Sequence, residues 1–154
     1  LAAWTPPPLH AWRRLVLPTF GAQMAKGSRV YASPRIWYPP NLTLGVNAVL
    51  GPRVNSYCQD RITLGDYAVV SQSAQLVTGT HDIDSPDFAL VSRPISIGRH
   101  AWVAASAFVG PGVTIGDGAV LGACAVTFKD LPAWSAYVGN PAKFIRMREE
   151  ITSP

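Results

Sequence analysis

Aliphatic residues return at every sixth position through most of this chain. From Leu44 onward, with two interruptions, every position of this series is Leu, Ile or Val, and the next residue is most often Gly. The positions are Leu44, Leu50, Leu64, Val70, Leu76, Ile97, Val103, Val109, Ile115 and Leu121. Six residues turn an α-helix by about 600°, so these side chains would point in different directions around a helix. The two-residue period of a β-strand keeps them on one face. The repeat excludes a helix over residues 44–126 and predicts short strands, with glycine supplying the corners.

A longer period predicts how the strands are arranged. The pattern aliphatic-x-aliphatic-glycine starts at residues 42, 62, 95 and 113, so its copies are 20, 33 and 18 residues apart. A hexapeptide β-helix uses three six-residue sides, about 18 residues, for each coil. We therefore expect an all-β solenoid of stacked coils over residues 30–139. Two extra residues near Tyr57 to Arg61 and an insertion at about residues 81–94 should leave the coils as loops.

Both ends of such a stack leave backbone groups unpaired, so we expect a capping segment at each end. Residues 1–29 form the first, with a short helix over Leu9 to Leu17. Residues 140–154 form the second. There Asn140 followed by Pro141 is typical of the start of a helix, which we expect to run to about Glu150. The apolar face expected for the first helix comprises Trp12, Leu15 and Val16.

The composition is that of a folded chain with a weak charge bias. Hydrophobic residues make up 48% of 154 residues and charged residues 14%, which excludes a disordered chain. The net charge is +4, but the basic residues are scattered and do not indicate nucleic-acid binding. Cys58 and Cys124 fit neither a disulfide framework nor a zinc spacing, so we interpret them as free thiols. No apolar run reaches the roughly 20 residues of a membrane span, and we expect a soluble cytoplasmic protein.

The insertion is the first candidate for a functional site, because insertions of this size in compact domains are commonly functional. It begins at His81, so an imidazole lies where the wall of the column becomes a loop. Histidine is the side chain best suited to take up a proton at neutral pH. A surface histidine in a polar loop is the alternative interpretation of its position.

Several motifs together resemble the hexapeptide-repeat acyltransferases, and within them the sugar O-acetyltransferases of the maltose, galactoside and colanic acid type. The motifs are TGTHD at 78–82, PISIG at 94–98, AWV at 101–103, GPGVTIG at 110–116, KDLP at 129–132 and VGNPAK at 138–143. The resemblance covers most of residues 21–148. It implies a left-handed parallel β-helix, a homotrimer, and acetyl-CoA bound between neighbouring columns. The implied reaction is acetyl transfer from acetyl-CoA to a carbohydrate hydroxyl, with no metal.

The same resemblance implies roles for individual residues. His81 is the implied general base, and Asp82 and Asp84 are the nearest carboxylates that could orient its ring. Asn55 and Asp82 are assigned to acceptor binding. The residues assigned to acetyl-CoA are Trp102, Ala104, Ala123, Lys129, Lys143 and Arg146. The chain departs from the galactoside-type pattern at Ala105 and Phe128, where serine and threonine are common.

Two other classes of function are compatible with a three-sided column. A zinc-dependent carbonic anhydrase of this shape needs three histidines, and only His10, His81 and His100 are present. Because His10 precedes the repeat and His100 lies at a coil corner, this ligation is hard to arrange. A non-catalytic scaffold is the other alternative, although a binding solenoid would more naturally show an unbroken polar face.

Overall fold

The predicted column is present in the structure, a computed structural model that describes residues 10–151. Three parallel sheets form its sides, and successive strands pass from sheet A to sheet B to sheet C. Sheet A comprises Gln23–Met24, Leu42–Leu44, Ile62–Leu64, Ile95–Ile97 and Thr114–Ile115. Sheet B comprises Arg29–Val30, Val49–Leu50, Val69–Val70, Trp102–Val103, Val120–Leu121, Ser135–Val138 and, as an antiparallel edge strand, Lys143–Met147. Sheet C comprises Arg35–Ile36, Asn55–Tyr57, Gln75–Val77, Phe108–Val109 and Val126–Thr127.

The aliphatic residues of the repeat fill the inside of this column. All the predicted inward positions are at most 2% exposed. Parallel pairing keeps them in register from coil to coil, so that Leu44 lies opposite Leu64 and Leu64 opposite Ile97. Coils in such a ladder are about 4.8 Å apart, so each inward side chain packs on those above and below it. Burying one aliphatic side chain contributes about 1.5–3 kcal/mol, and this stack supplies most of the core.

The glycines that directly follow the repeat's aliphatic residues serve close packing, and the residue two positions after each of them supplies the turn. The left-handed backbone conformations include Asn47, Tyr67 and His100, with φ of 54°, 58° and 53°. Gly116, which follows an aliphatic residue of the repeat, is not among the residues of positive φ. A Cβ there would lie 2.5 Å from the backbone nitrogen of Ala133 in the next coil. The expectation that this glycine provides the corner conformation is wrong, because its φ is not positive. Glycine is needed there because any larger side chain would clash with the backbone of the next coil.

The N-terminal helix spans His10–Thr19. Its buried side chains include Arg13 and Leu17, and the Arg13 Nη1 donates a hydrogen bond to the Val30 carbonyl at 3.3 Å. The predicted apolar face of Trp12, Leu15 and Val16 is wrong, since Trp12 and Leu15 are exposed. A guanidinium is buried there because the first coil presents backbone carbonyl groups that an apolar face would leave without a donor. The column itself begins at Gln23 rather than at residue 30.

The helix predicted over residues 140–150 is wrong. The chain turns at residues 139–142, with a cis peptide bond before Pro141, and returns as the strand Lys143–Met147. This strand pairs antiparallel with Ser135–Val138, the last parallel strand of sheet B. It covers an edge whose N–H and C=O groups a helix could not pair. Sheet B therefore continues past the predicted boundary at residue 139.

We predict that Gly116→Ala destabilises the column. The added methyl group would meet the Ala133 backbone at 2.5 Å, which forces two coils apart, and overpacking of this kind costs about 1–3 kcal/mol. Thermal unfolding followed by circular dichroism should show a clear fall in Tm. Thr114→Ala, on the exposed outer face of the same coil, is the matched control. Equal Tm values for the two variants would contradict the close approach described here.

Candidate active site

The insertion leaves the column as a β-hairpin. Gly79–His81 pairs antiparallel with Leu90–Ser92, and a loop over residues 82–89 joins the two strands. The chain departs from the coil at this point, and the departing segment is ordered by its own strand pairing. The sheet A strands before and after the hairpin still pair in register, with Ile62 opposite Ile95. The hairpin therefore projects from the corner between sheet C and sheet A without interrupting the wall.

The root of the hairpin is fixed by Thr78. This residue is fully buried; its hydroxyl donates to the Tyr57 carbonyl at 2.9 Å and accepts from the Asp60 N–H at 3.0 Å. Tyr57 and Asp60 belong to the segment in which the sequence predicts two extra residues. Those extra residues thus support the insertion of the next coil.

Gly79 brings the hairpin close to the coil beneath it. A Cβ at this position would clash with the side-chain oxygen of Gln59 and would lie 3.5 Å from Cε1 of Tyr57. Alternate residues of a strand share a face, so His81 projects on the side of the hairpin that Gly79 presents to Gln59 and Tyr57. The His81 side chain and the Tyr57 ring therefore lie on the same side of the hairpin.

His81 is exposed, and its ring is held by one backbone contact. Its Nδ1 lies 2.5 Å from the carbonyl oxygen of Phe88, which is in the hairpin loop two residues before the returning strand. A carbonyl oxygen can only accept a hydrogen bond, so Nδ1 carries the hydrogen. In the neutral ring Nε2 then has the lone pair and is the basic nitrogen. The contact with Phe88 therefore selects one tautomer of the neutral ring.

The nearby carboxylates do not hold this ring. Asp82 accepts a hydrogen bond from the Asp84 N–H at 3.0 Å and so stabilises the turn of the loop. The sequence analysis named Asp82 and Asp84 as carboxylates that could orient the ring. In the structure the ring contacts the Phe88 carbonyl instead. No side-chain signal in the sequence marks a backbone acceptor, which is why Phe88 was not predicted.

The residues predicted for acetyl-CoA lie mainly on sheet B. Trp102 is 46% exposed, and its Nε1 donates to the Ser71 hydroxyl at 2.9 Å. A cavity of about 330 Å³ lies beside its indole. Along the outer face, Trp102 is in register with Val120, Ala136 and Arg146 on successive strands. Three strand spacings separate Trp102 from Arg146, about 14 Å. An aromatic surface at one end of this line is thus followed by exposed cations, Arg146 and Lys143, at the other.

The other predicted donor residues lie at corners. Ala104 is buried directly after the Trp102–Val103 strand, and Ala123 is exposed at the same corner of the next coil. Lys129 is exposed and follows the last strand of sheet C, so it does not share the face of Trp102. A single chain therefore brings together Trp102, Ala104, Ala123, Lys143 and Arg146, and leaves Lys129 apart from them.

His81 and Trp102 do not meet within one chain. The hairpin leaves from the corner between sheets C and A, and in a three-sided column that corner is opposite sheet B. Asn55, predicted for the acceptor, is half-buried on the outer face of sheet C, on the side of His81. The predicted residues thus form two groups, an acceptor and base group at sheet C and a donor group at sheet B.

Sequence reasoning missed an aromatic pair beside the base. Trp37 and Tyr57 have ring centroids 5.3 Å apart on sheet C, and Trp37 is 66% exposed. The Gln59 Nε2 donates to the Tyr57 hydroxyl at 3.1 Å. The two aromatics are 20 residues apart, which is the length of that coil. This spacing could have identified them as neighbours.

Among residues 10–151, no group of three or more His, Cys, Asp and Glu side chains is arranged to hold a metal ion. No helix in the described part of the chain is long and apolar enough to span a membrane.

Cys58 and Cys124 are both free. Burial raises the pKa of the Cys58 thiol, which lies 3.3 Å from the backbone N and O of Tyr38.

A parallel column with six-residue sides, and a hairpin that projects from one corner and carries an oriented imidazole, define a hexapeptide-repeat transferase. Residues 94–129 match the family model described as bacterial transferase hexapeptide (six repeats). The chain is 47% identical over 148 residues to an Escherichia coli (strain K12) protein named as a colanic acid biosynthesis acetyltransferase, WcaF. That match covers 96% of this chain and 81% of the relative.

Solved structures agree with this assignment. A maltose O-acetyltransferase from Clostridium difficile 630 superposes with a TM-score of 0.85 at 28% identity, covering 96% of this chain and 81% of that one. A galactoside acetyltransferase in complex with coenzyme A shares the fold, with a TM-score of 0.81, 24% identity, and coverage of 96% and 75%. The chain belongs to the hexapeptide-repeat acetyltransferase family, and it is an acetyltransferase. These relatives do not favour the carbonic anhydrase alternative.

We predict that Thr78→Val loosens the hairpin. The substitution keeps the shape but leaves the Asp60 N–H without its acceptor, and an unsatisfied buried group costs about 1–3 kcal/mol. Hydrogen exchange should become faster at the amides of residues 79–92 than in the rest of the column. Thr80→Val, at an exposed position of the same hairpin, is the matched control. Unchanged protection in Thr78→Val would contradict the anchoring role.

Proposed function

We propose that this protein transfers an acetyl group from acetyl-CoA to a hydroxyl of a carbohydrate, with His81 as the general base. The observation that carries the proposal is the contact of His81 Nδ1 with the Phe88 carbonyl, which leaves Nε2 as the basic nitrogen. A sugar hydroxyl is a poor nucleophile at neutral pH because its proton must leave as the oxygen attacks. A positioned base contributes about 10² to 10⁴ in rate.

His81 takes up one proton in the first step of this reaction and returns it in the second. Nε2 of His81 takes the hydroxyl proton while the oxygen bonds to the thioester carbonyl carbon. The tetrahedral intermediate then collapses, the carbon–sulfur bond breaks, and the coenzyme A sulfur leaves with the proton from Nε2. During this cycle the imidazolium is stabilised through its Nδ1–H by the Phe88 carbonyl. The base is thereby restored for the next turnover.

The outer face of sheet B supports binding of acetyl-CoA. We assign Trp102 to the pantetheine arm and Lys143 and Arg146 to the nucleotide phosphates, since exposed cations suit a strongly anionic ligand. Lys129 follows the last strand of sheet C, so we assign it to the same phosphates only from a neighbouring chain. The small residues Ala104 and Ala123 would allow the arm to approach the corner. Acetyl-CoA is a cytoplasmic metabolite, and we therefore place the reaction in the cytoplasm.

The acceptor is assigned to the surface beside the hairpin. Asn55 presents an amide on the outer face of sheet C, below the base. Asp82 has one carboxylate oxygen engaged within the loop, which leaves the other for a hydroxyl of the acceptor. The names of the relatives, which refer to colanic acid, maltose and galactoside, support a carbohydrate.

A complete site requires a second copy of the chain, and we propose a homotrimer. The base and the donor surface lie on opposite sides of one column, so a neighbour must bring its sheet B to the hairpin. The outer positions of the middle of sheet B are apolar, and they are Val49, Val69, Trp102, Val120 and Ala136. The corresponding positions of sheet A are polar, and they are Gln23, Thr43, Thr63, Ser96 and Thr114. Sheet B is therefore the side suited to a protein contact.

We predict that His81→Ala lowers the rate of coenzyme A release from acetyl-CoA by at least about a hundredfold across a panel of sugars. The control is Asp84→Asn, which removes a nearby carboxylate and should retain activity because the Phe88 carbonyl orients the ring. An unchanged rate in His81→Ala would remove this residue from the mechanism. Absence of transfer to any carbohydrate by the parent protein would reject the proposed acceptor.

We also predict complementation between two inactive variants. His81→Ala retains the donor surface, whereas the double variant Trp102→Ala, Arg146→Ala retains the base. If each site takes its base from one chain and its donor surface from another, co-expression of the two should restore part of the activity that each lacks alone. If one chain supplied both the base and the donor surface of a site, the co-expressed variants would show no more activity than the two variants measured separately.

A further inference from the structure

Two aromatic side chains form a line down the column from the candidate base. Tyr57 and Val77 are paired in successive coils of sheet C. Ile36 is paired with Ser56, so Trp37, the residue directly after the strand Arg35–Ile36, comes next to Tyr57 in the same register. The backbone N–H of Trp37 donates to the Ser56 carbonyl at 3.1 Å, which holds Trp37 in this register. Coils are about 4.8 Å apart, so Trp37 lies about 10 Å below Val77, at the point where the hairpin leaves the wall.

The line leads to the side of the hairpin that carries His81. The Tyr57 ring lies against Gly79, with Cε1 3.5 Å from the position of a Cβ there. His81 is two residues further along the same strand and projects on the same face. A molecule that presents a group to His81 and extends along sheet C would therefore pass over Tyr57 and reach Trp37.

The chemistry of this surface favours a sugar ring. The face of an aromatic ring carries a partial negative charge and attracts the C–H groups on the apolar face of a pyranose. Outward amides flank the rings, since Asn55 and Gln75 lie in register on the same sheet. The Tyr57 hydroxyl accepts from Gln59, so its own hydrogen is available to an acceptor oxygen.

Sheet B provides the contrast within the same molecule. The outer positions of its middle strands are aliphatic apart from the Trp102 indole, which suits a protein neighbour. Sheet C instead presents the rings of Trp37 and Tyr57 beside the amides of Asn55 and Gln75, with the exposed Arg35 at the end of the amide row. Rings that supply apolar contact, next to amides that both donate and accept, match a ligand with a hydroxyl-rich edge and an apolar face.

We propose that Trp37 and Tyr57 form a subsite for a second sugar ring of the acceptor. The first ring presents its hydroxyl to His81, and the next ring packs on the aromatic pair one to two coils below. The acceptor is therefore a glycan of at least two sugar units. This inference rests on the proposed function, because it assigns the acceptor of the same reaction.

The test compares acceptors of one and two sugar units on the same enzyme. For the parent protein, kcat/KM should be higher for a disaccharide than for the monosaccharide that forms its acceptor end. The measured quantity is the kcat/KM for the disaccharide divided by the kcat/KM for the monosaccharide. Trp37→Ala should lower this ratio about tenfold, mainly by raising the KM for the disaccharide, because lost stacking weakens binding. Trp37→Phe, which keeps an aromatic face, should restore part of it. Trp12→Ala is the matched control, since Trp12 is 48% exposed on the N-terminal helix, away from sheet C.

The outcomes separate the two proposals. A ratio that falls in Trp37→Ala, recovers in Trp37→Phe and is unchanged in Trp12→Ala supports the subsite. Equal ratios in the parent protein and Trp37→Ala, or a parent protein that shows no preference for the disaccharide, would overturn the subsite while leaving carbohydrate acetylation intact. Failure of the parent protein to acetylate any carbohydrate would overturn the proposed function instead.

Discussion

In-register pairing between successive coils is the constraint on which the rest of the structure depends. Each parallel ladder places the same position of one coil over that of the next, inward for Leu44 and Leu64, outward for Tyr57 and Val77. A residue type that recurs at the coil length therefore becomes a continuous line in space. The aliphatic core, the apolar face of sheet B and the aromatic line of sheet C are all products of this one rule.

The same rule explains how a functional loop is accommodated. Ile62 and Ile95 are 33 residues apart but remain paired, so the extra chain has left entirely at the corner. Because the ladder does not lengthen to accept it, the hairpin must be held by contacts of its own, which Thr78 and Gly79 provide. His81 can therefore project from the wall while its position stays tied to rigid backbone. This is the arrangement that a positioned base requires.

The sequence predicted whatever the repeat controls, namely the coil, its inward residues and the place of the insertion. The errors lie where the repeat stops. Residues 140–150 contain local signals for a helix, but the open edge of Ser135–Val138 favoured a strand, and tertiary pairing outweighed local preference. Arg13 occupies a buried position that hydrophobic patterning reserves for an apolar residue. The Phe88 carbonyl is a backbone group, so no choice of side chain could reveal it.

The division of the site between a corner and the opposite face has a consequence for assembly under the proposed function. Each column offers its hairpin to one neighbour and its sheet B to another, which is a head-to-tail contact. Such contacts produce a closed ring when the rotation between copies closes, and open filaments when it does not. A three-sided column that turns by about 120° from copy to copy closes after three. Every hairpin then meets a donor face, and a ring of three chains contains three sites, whereas a single chain holds all of the residues and no complete site.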